Sequence, residues 1–425
     1  MINLYPHQLQ ALNDTADKNR VAYYHDMGMG KTFTGGEKMM ELGARVNIVI
    51  CQKSKIDDWI EHFKKCYDYN AIDLTTMRAE EFKSFIHYCE VMPHIIIGVI
   101  NYELAFRRPE LLKLHDFTLM LDESSLIQNE TAKRTKFIMK LDFKNLILLS
   151  GTPTGGKYEK LWSQLKMLGY NITKKSFYNQ YVNFHYDTRQ GFPLMIIDGY
   201  KNVERLKRKM RDYGCSFLKT EEVLTLPDQI FTPVKVKPPK EYKTFMEHGI
   251  VKINNTELVG DTTLTKLLYA RMLCGAYSAD KLEAFKELAE STSDRLIVFY
   301  NFNAELGALI SVCNALERPY SVVNGESKDL YAYEHKTDSI TLIQYQAGAM
   351  GLNLQKANKI VYFTPPLSSE LYEQSKKRIH RIGQETTCFY YNLICTGSVE
   401  QKIYRTLEMR KDYTNALFEQ EVNHE

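Results

Sequence analysis

Short apolar runs alternate with longer amphipathic stretches through both halves of the chain, and this pattern narrows the fold more than any other feature. Brief runs of this kind suit strands buried on both faces, and such strands are joined in parallel by crossover helices. In the first half, strands are expected at Val21–Tyr24, Val46–Cys51, Ile95–Ile100, Thr118–Asp122 and Leu146–Ser150. In the second half they are expected at Arg295–Tyr300, Ser321–Val323, Thr341–Gln344, Ile360–Phe363 and Phe389–Leu393. Each half holds enough strands for one open sheet, and 425 residues suit two cores of about 200 residues each. The expected class is therefore α/β, with two parallel-sheet lobes in tandem and helical insertions between and on them.

Between about Gly169 and Glu290 the buried-strand runs thin out. An aromatic cluster (Phe177, Tyr178, Tyr181, Phe184, Tyr186) and a basic helix from Asn202 to Asp212 appear instead, punctuated by Leu226-Pro227 and Lys237-Pro238-Pro239. The lobe boundary is placed near Pro238. Residues 1–237 then form the first lobe with an insertion at about 169–225, and residues 238–425 the second with a helical arm at about 240–290.

Bulk composition excludes several classes. Apolar content of 44% with 25% charged residues is that of a soluble globular chain. The longest apolar runs, at His94–Ile100 and Asn145–Leu149, fall far short of the roughly 20 residues that span a bilayer. The opening Met-Ile-Asn-Leu-Tyr-Pro-His-Gln has neither basic flank nor apolar signal core, so a cytoplasmic protein without membrane attachment is expected. Eight cysteines form no Cys-x-x-Cys pair and no zinc-finger spacing, which points to buried free thiols. A net charge of +3 selects no partner, because a basic cleft can coexist with a balanced surface. Nothing in the sequence accounts for its 28 tyrosines.

The chemistry gathers just after the strands, where open α/β sheets place their ligands. Asp26-Met-Gly-Met-Gly-Lys-Thr32 follows the first strand and opens a helix. In such a loop Gly28 and Gly30 let backbone N–H groups approach phosphates, Lys31 reaches the outer phosphates and Thr32 binds Mg²⁺. The strict pattern wants glycine at position 25, where this chain has His25. Asp122-Glu123 ends another strand; Asp122 would hold Mg²⁺ and Glu123 would polarise an attacking water. Ser150-Gly151-Thr152-Pro153, also at a strand end, suits a switch that relays nucleotide state, or is a plain turn. Near the start, the Gln8 amide in Leu4-Tyr-Pro-His-Gln8 is complementary to adenine N6 and N7. Late in the chain, Gln374, Arg378 and Arg381 fall at helical spacings of four and three, which predicts one shared helix face. Two guanidiniums there suit an anion that gains charge during reaction; for an arbitrary arginine pair taken alone, a surface stripe of charge is the better reading.

Together these motifs resemble the Swi/Snf-type DNA translocases, a branch of superfamily-two helicases. The resemblance runs from Gln8 to about Met409. It also takes in Val49-Ile-Cys-Gln-Lys-Ser-Lys-Ile-Asp-Asp-Trp59, Ile100-Asn-Tyr-Glu103 and Gln346-Ala-Gly-Ala-Met-Gly-Leu-Asn-Leu354. Arg378-Ile-His-Arg-Ile-Gly-Gln384 and Gly351-Leu-Asn-Leu354 carry the branch-specific wording. It implies two RecA-like lobes, hydrolysis of ATP with Mg²⁺ in the cleft between them, and tracking along double-stranded DNA. It further implies that Arg378 and Arg381 contact the γ-phosphate, Arg381 as the finger, with Gln374 beside them. A finger is worth about 10³–10⁵ in rate, or roughly 4–7 kcal/mol.

The chain departs from the family at several places. Ser124-Ser125 stands where Ala-His is usual, which bears on how hydrolysis couples to DNA through Ser125, Ser150, Gly151 and Thr152. Gln128-Asn129 replaces Lys-Asn, Tyr5 replaces a basic residue, and Ala349-Met350 replaces a Gly-Val-like pair. Family analogy assigns DNA contacts to Lys53, Ser54, Asn101, Tyr102, Lys133, Arg134 and Asn353. Absence of histone-reading segments and tails resembles minimal bacterial or bacteriophage members, monomeric motors acting with replication or recombination proteins. The rival readings are a nucleic-acid-binding module with a decayed ATPase, and an RNA or single-strand helicase.

Overall fold

The computed structural model describes residues 3–188, 193–223, 226–253, 256–348 and 352–418. The chain forms two compact units, residues 1–223 with 412–425, and residues 224–411.

The first unit is built on β1 (Arg20–His25), β2 (Val46–Cys51), β3 (Ile72–Asp73), β4 (Ile96–Asn101), β5 (His115–Asp122) and β6 (Asp142–Leu149). A hairpin of β7 (Val182–Asp187) and β8 (Leu194–Tyr200) precedes a short strand, β9 (Cys215–Leu218). The sheet runs β3-β4-β2-β5-β6-β1-β9, with every pairing parallel. Successive side chains of a strand point to opposite faces. Ala22 and Tyr24 accordingly enter one core while Val21 and Tyr23 enter the other, and Ile48 and Ile50 divide from Val49 and Cys51 in the same way. Burial on both faces is what the continuous apolar runs required. The Lys31–Leu42 helix lies close on the sheet at Gly35, where a Cβ would come within 2.9 Å of Leu149 and 3.1 Å of Met120.

The second unit carries β10 (Gln229–Val236), a hairpin of β11 (Ile250–Ile253) and β12 (Thr256–Val259), then β13 (Leu296–Tyr300), β14 (Tyr320–Val323), β15 (Ile340–Gln344), β16 (Lys359–Tyr362) and β17 (Cys388–Cys395). Its sheet runs β10-β17-β16-β13-β15-β14, again parallel throughout. Ile297 and Phe299 face one core; Leu296, Val298 and Tyr300 face the other. Within about 240–290 the β11–β12 hairpin is followed by the helices Thr263–Cys274 and Ala279–Glu290.

The α/β class with two parallel-sheet lobes thus holds, while two details differ. The boundary expected near Pro238 falls earlier, because β10 pairs along its whole length with β17 of the second sheet. The insertion at 169–225 is not simply helical: it contains the β7–β8 hairpin and ends in β9, which pairs with β1. β10 is mostly exposed and carries Pro233, and β9 has only four residues, so neither produces an apolar run. All eight cysteines are free thiols, seven of them buried and Cys66 half-buried. No helix among the described residues is long and apolar enough to cross a membrane.

Candidate active site

The glycine-rich loop lies between β1 and the Lys31–Leu42 helix. Gly28 (φ 84°) and Gly30 (φ 71°) adopt left-handed backbone, which other residues reach only at a cost. The Lys31 ammonium donates to the carbonyls of His25 (2.8 Å) and Asp26 (3.1 Å), so it lies folded over its own loop. Thr32 is half-exposed in the first helical turn. His25 takes the place of the expected glycine without disturbing the loop. It is fully buried, with Nε2 3.0 Å from Ser216 Oγ, and burial followed by the Lys31 charge pushes its pKa down to about 3. It is thus neutral. Asp26 is held from the same side: its N–H donates to Leu218 O (2.9 Å), and the Thr220 N–H and hydroxyl donate to its Oδ2 (3.2 and 3.1 Å).

Gln8 is buried in the Pro6–Asn13 helix. Its Nε2 donates to Gly30 O (3.1 Å) and Met29 O (3.4 Å), and its Oε1 accepts from the Tyr5 N–H (2.8 Å). In this arrangement the amide braces the glycine-rich loop. A Cβ at Gly30 would come within 2.3 Å of that Nε2, a second reason for glycine there.

The acidic turn follows β5. Trp59 Nε1 donates to Asp122 Oδ2 (2.9 Å), and burial pushes the Asp122 carboxyl up against that bond and the charges of Lys31 and Lys55. Glu123 has φ 55°, a left-handed conformation costing a non-glycine residue about 1–3 kcal/mol. It is held there by the Tyr102 hydroxyl, which donates to Asp122 O (2.9 Å) and Glu123 O (3.4 Å). Strain at one turn, over-determined by a buried phenol, fixes where both carboxylates leave the sheet.

The hydroxyl turn follows β6, next in the sheet. The Ser150 hydroxyl accepts from the Thr152 N–H (3.1 Å), and both residues are buried. A Cβ at Gly151 would lie 3.4 Å from Lys31 Nζ, so this turn abuts the glycine-rich loop. Ser125 is buried in the short helix Ser124–Ile127. The structure therefore gathers Lys31, Asp122, Glu123 and Gly151 at the C-terminal ends of β1, β5 and β6. What sequence reading missed is their support: Trp59, Tyr102 and a buried amide, Gln164, in the helix Trp162–Met167. A glutamine between the apolar Leu161-Trp162 and Leu165 was the available signal.

The residues assigned to DNA divide into two groups. Lys53, Ser54 and Lys133 are exposed, as is Asn353, which follows residues 349–351; the family variant Ala349-Met350 lies outside the described residues. Arg134 is half-buried, 3.7 Å from Glu103. Asn101 is buried and donates to Glu103 Oε2 (3.0 Å). Tyr102 is a correction: its side chain is 0% exposed and spent on the acidic turn, so it cannot meet a duplex.

In the second unit, the shared helix face expected for Gln374, Arg378 and Arg381 does not form. The helix Ser369–Lys376 ends before either arginine, and Lys377 leaves it at ψ 2°. Arg378 N donates to Ser375 O (3.2 Å) and Gln384 N to Arg381 O (3.0 Å), the i to i−3 bonds of tight turns. Gly383 adopts φ 92°, and Gln384 Nε2 donates to the carbonyls of Ala357 (2.9 Å), Gln355 (3.2 Å) and Ile379 (3.3 Å). Gln374 is buried on the helix with Nε2 3.4 Å from Glu370. Arg378 is buried and donates to Leu352 O (3.4 Å). Arg381 is half-buried, and burial lowers its pKa. His380 Nε2 donates to Pro227 O (2.9 Å).

Two parallel α/β units, the first with a glycine-rich phosphate-type loop and an acidic turn at strand C-terminal ends, define the class as a tandem P-loop core. More narrowly, the chain belongs to the SNF2-related domain family, which residues 18–278 match; residues 280–383 match the helicase conserved C-terminal domain. Among its relatives, the ISWI chromatin-remodeling complex ATPase ISW1 of Saccharomyces cerevisiae is 23% identical over 96% of this chain and 40% of its own length. The putative ATP-dependent helicase/translocase YwqA of Bacillus subtilis is 24% identical over 72% of this chain and 36% of its own. The chain thus spans well under half the length of these curated relatives. A solved structure, the Sulfolobus solfataricus SWI2/SNF2 ATPase core in complex with dsDNA, aligns with 97% of this chain and 92% of that one, at 19% identity and a TM-score of 0.45.

Proposed function

We propose that this protein is an ATP-hydrolysing motor that binds and translocates on double-stranded DNA, remodelling DNA or protein–DNA complexes. The observation that carries the reading is the convergence of Lys31, Asp122, Glu123 and Gly151 at the C-terminal ends of β1, β5 and β6 in a chain of the SNF2-related family. Lys31 binds the outer phosphates with the N–H groups of the glycine-rich loop, and Glu123 orients and polarises the attacking water. Thr32 and Asp122 offer hard oxygen donors that fit Mg²⁺, which when bound offsets phosphate charge. The space beside Lys31, which a Cβ at Gly151 would narrow, suits a phosphoryl oxygen. Arg378 and Arg381 offset the charge that develops on the transferred group. Ser125, Ser150, Gly151 and Thr152 relay the state of the site toward DNA, for which Lys53, Ser54, Lys133 and Asn353 supply exposed contacts. The setting that suits this core is a bacterial or bacteriophage one, as a monomeric cytoplasmic motor serving replication or recombination.

The test is ATP turnover of the purified protein with duplex DNA, single-stranded DNA and duplex RNA, beside Lys31→Ala. Duplex DNA is expected to stimulate most, and Lys31→Ala to abolish turnover. Arg381→Ala is expected to lower turnover by roughly 10² or more while ATP affinity stays within several-fold, as for a group acting in the transition state. No turnover above Lys31→Ala on any nucleic acid would instead make the protein a binding module. Preference for RNA or single strands would make it a helicase of another kind.

A further inference from the structure

Three hydroxyl and carbonyl groups from separate parts of the first unit meet on one buried side chain. Gln164 is 0% exposed. Its Oε1 accepts from the Ser124 hydroxyl (2.9 Å) and the Tyr24 hydroxyl (2.9 Å), and its Nε2 donates to Pro153 O (2.9 Å). The amide has one orientation, because Pro153 O can only accept while the hydroxyls can donate. Ser124 directly follows the acidic pair, Pro153 ends the hydroxyl turn, and Tyr24 is the penultimate residue of β1, just before the glycine-rich loop. Pro153 O accepts a second amide, Gln128 Nε2 (2.9 Å), so both lone pairs of that carbonyl are used. The Ser163 hydroxyl donates to Ile127 O (2.8 Å), fastening the Gln164 helix to the short helix after the acidic turn.

We propose that Gln164 is a positioning residue that links the acidic turn after β5 to the hydroxyl turn after β6, so that a shift in either is transmitted to the other. This rests on the motor reading above. A buried amide with both ends satisfied resists being stretched, because each broken bond strands a polar group away from water. The turns at Ser124 and Pro153 therefore move together or not at all. Gln164 touches no reacting atom; its contribution is to the dependence of turnover on DNA rather than to the chemical step.

Gln164→Met keeps the length and volume of the side chain and removes its polar end. Tyr24→Phe removes one bond to the same amide but leaves the Ser124–Gln164–Pro153 link intact, so it controls for the loss of a buried hydrogen bond. Gln164→Met is expected to lose roughly tenfold or more of the stimulation by duplex DNA, with basal turnover and the KM for ATP within about threefold of the parent. Tyr24→Phe is expected to keep its stimulation within about twofold. Stimulation that survives in Gln164→Met, falls equally in Tyr24→Phe, or is lost only together with basal turnover overturns the proposal. Should Gln164→Met not fold, Ser124→Ala breaks the same link at its other end, and unchanged stimulation in that variant is then the overturning result. A parent with no turnover above Lys31→Ala removes the motor reading, and this proposal with it.

Discussion

Glu305 lies in the first turn of the helix Asn303–Ala315, where its Oε2 accepts from the N–H groups of Asn301 (2.8 Å) and Phe302 (3.1 Å) and from the Thr364 hydroxyl (3.1 Å). Its Oε1 has no hydrogen-bond partner among the described residues, and a Cβ at Gly275 would come within 1.9 Å of it. Burial outweighs these bonds and the charge of Lys281, and pushes its pKa from 4.5 up to about 7. A folded pKa above the unfolded one stabilises the fold at low pH, and that contribution fades as pH rises from 4.5 to 7. The span corresponds to about 3 kcal/mol. Glu305→Gln should therefore match the parent at pH 4 in urea unfolding and exceed it by about that amount at pH 8; parallel profiles would show that Glu305 does not titrate in this window. At this scale the sequence was informative about the polar side chains at the strand ends and silent about the side chains that hold them. Lys31 and Asp122 follow strands and announce themselves. Gln164 becomes a hub only when residues 24, 124 and 153 are brought to it, and no local spacing encodes that meeting. Gln384, legible as part of a motif, proves to be the clamp of its own turn.

Between elements, a buried ion pair joins the helix Ala279–Glu290 to the start of the helix Val399–Phe418. Lys281 Nζ lies 2.6 and 2.7 Å from the two Glu400 oxygens, with both side chains buried, and Glu400 Oε2 also accepts from the Cys395 N–H (2.9 Å). Removing one partner strands a buried charge, so Lys281→Met should cost about 3–5 kcal/mol in denaturant unfolding. Adding Glu400→Leu should recover most of that loss, since apolar residues can replace a buried pair at little cost. A double variant no better than the single one would mean the pair contributes more than charge balance. The strands that were legible are those buried on both faces, such as β2, found at its full length. The edge strands β3, β9 and β10 and both hairpins were not, because short or half-exposed segments leave no apolar run, whereas β14, also at an edge, was. The Gln374–Arg381 spacing misled for a related reason: periodicity records compatibility with a helix, while the chain leaves the helix at Lys377 and continues in tight turns.

For the whole molecule, each unit has its own cores on both faces of its own sheet. Units with separate cores are expected to unfold as separate cooperative blocks. Phe63, fully buried in the first, and Phe285, fully buried in the second, report on them independently. Phe63→Ala and Phe285→Ala should each cost about 3–5 kcal/mol and lower different transitions in calorimetry; one shared transition moved equally by both would mean the chain unfolds as a single block. The glycine-rich loop has an implication for discrimination among anions. Because the Lys31 ammonium already rests on two carbonyl oxygens, 2.8 and 3.1 Å away, an incoming ion must outcompete a solvation shell supplied by the protein itself. Chloride brings one charge and no geometry and has little to offer in exchange. A polyphosphate brings several oxygens, enough to engage the loop N–H groups and the ammonium together, and so is the kind of anion that can replace those carbonyls.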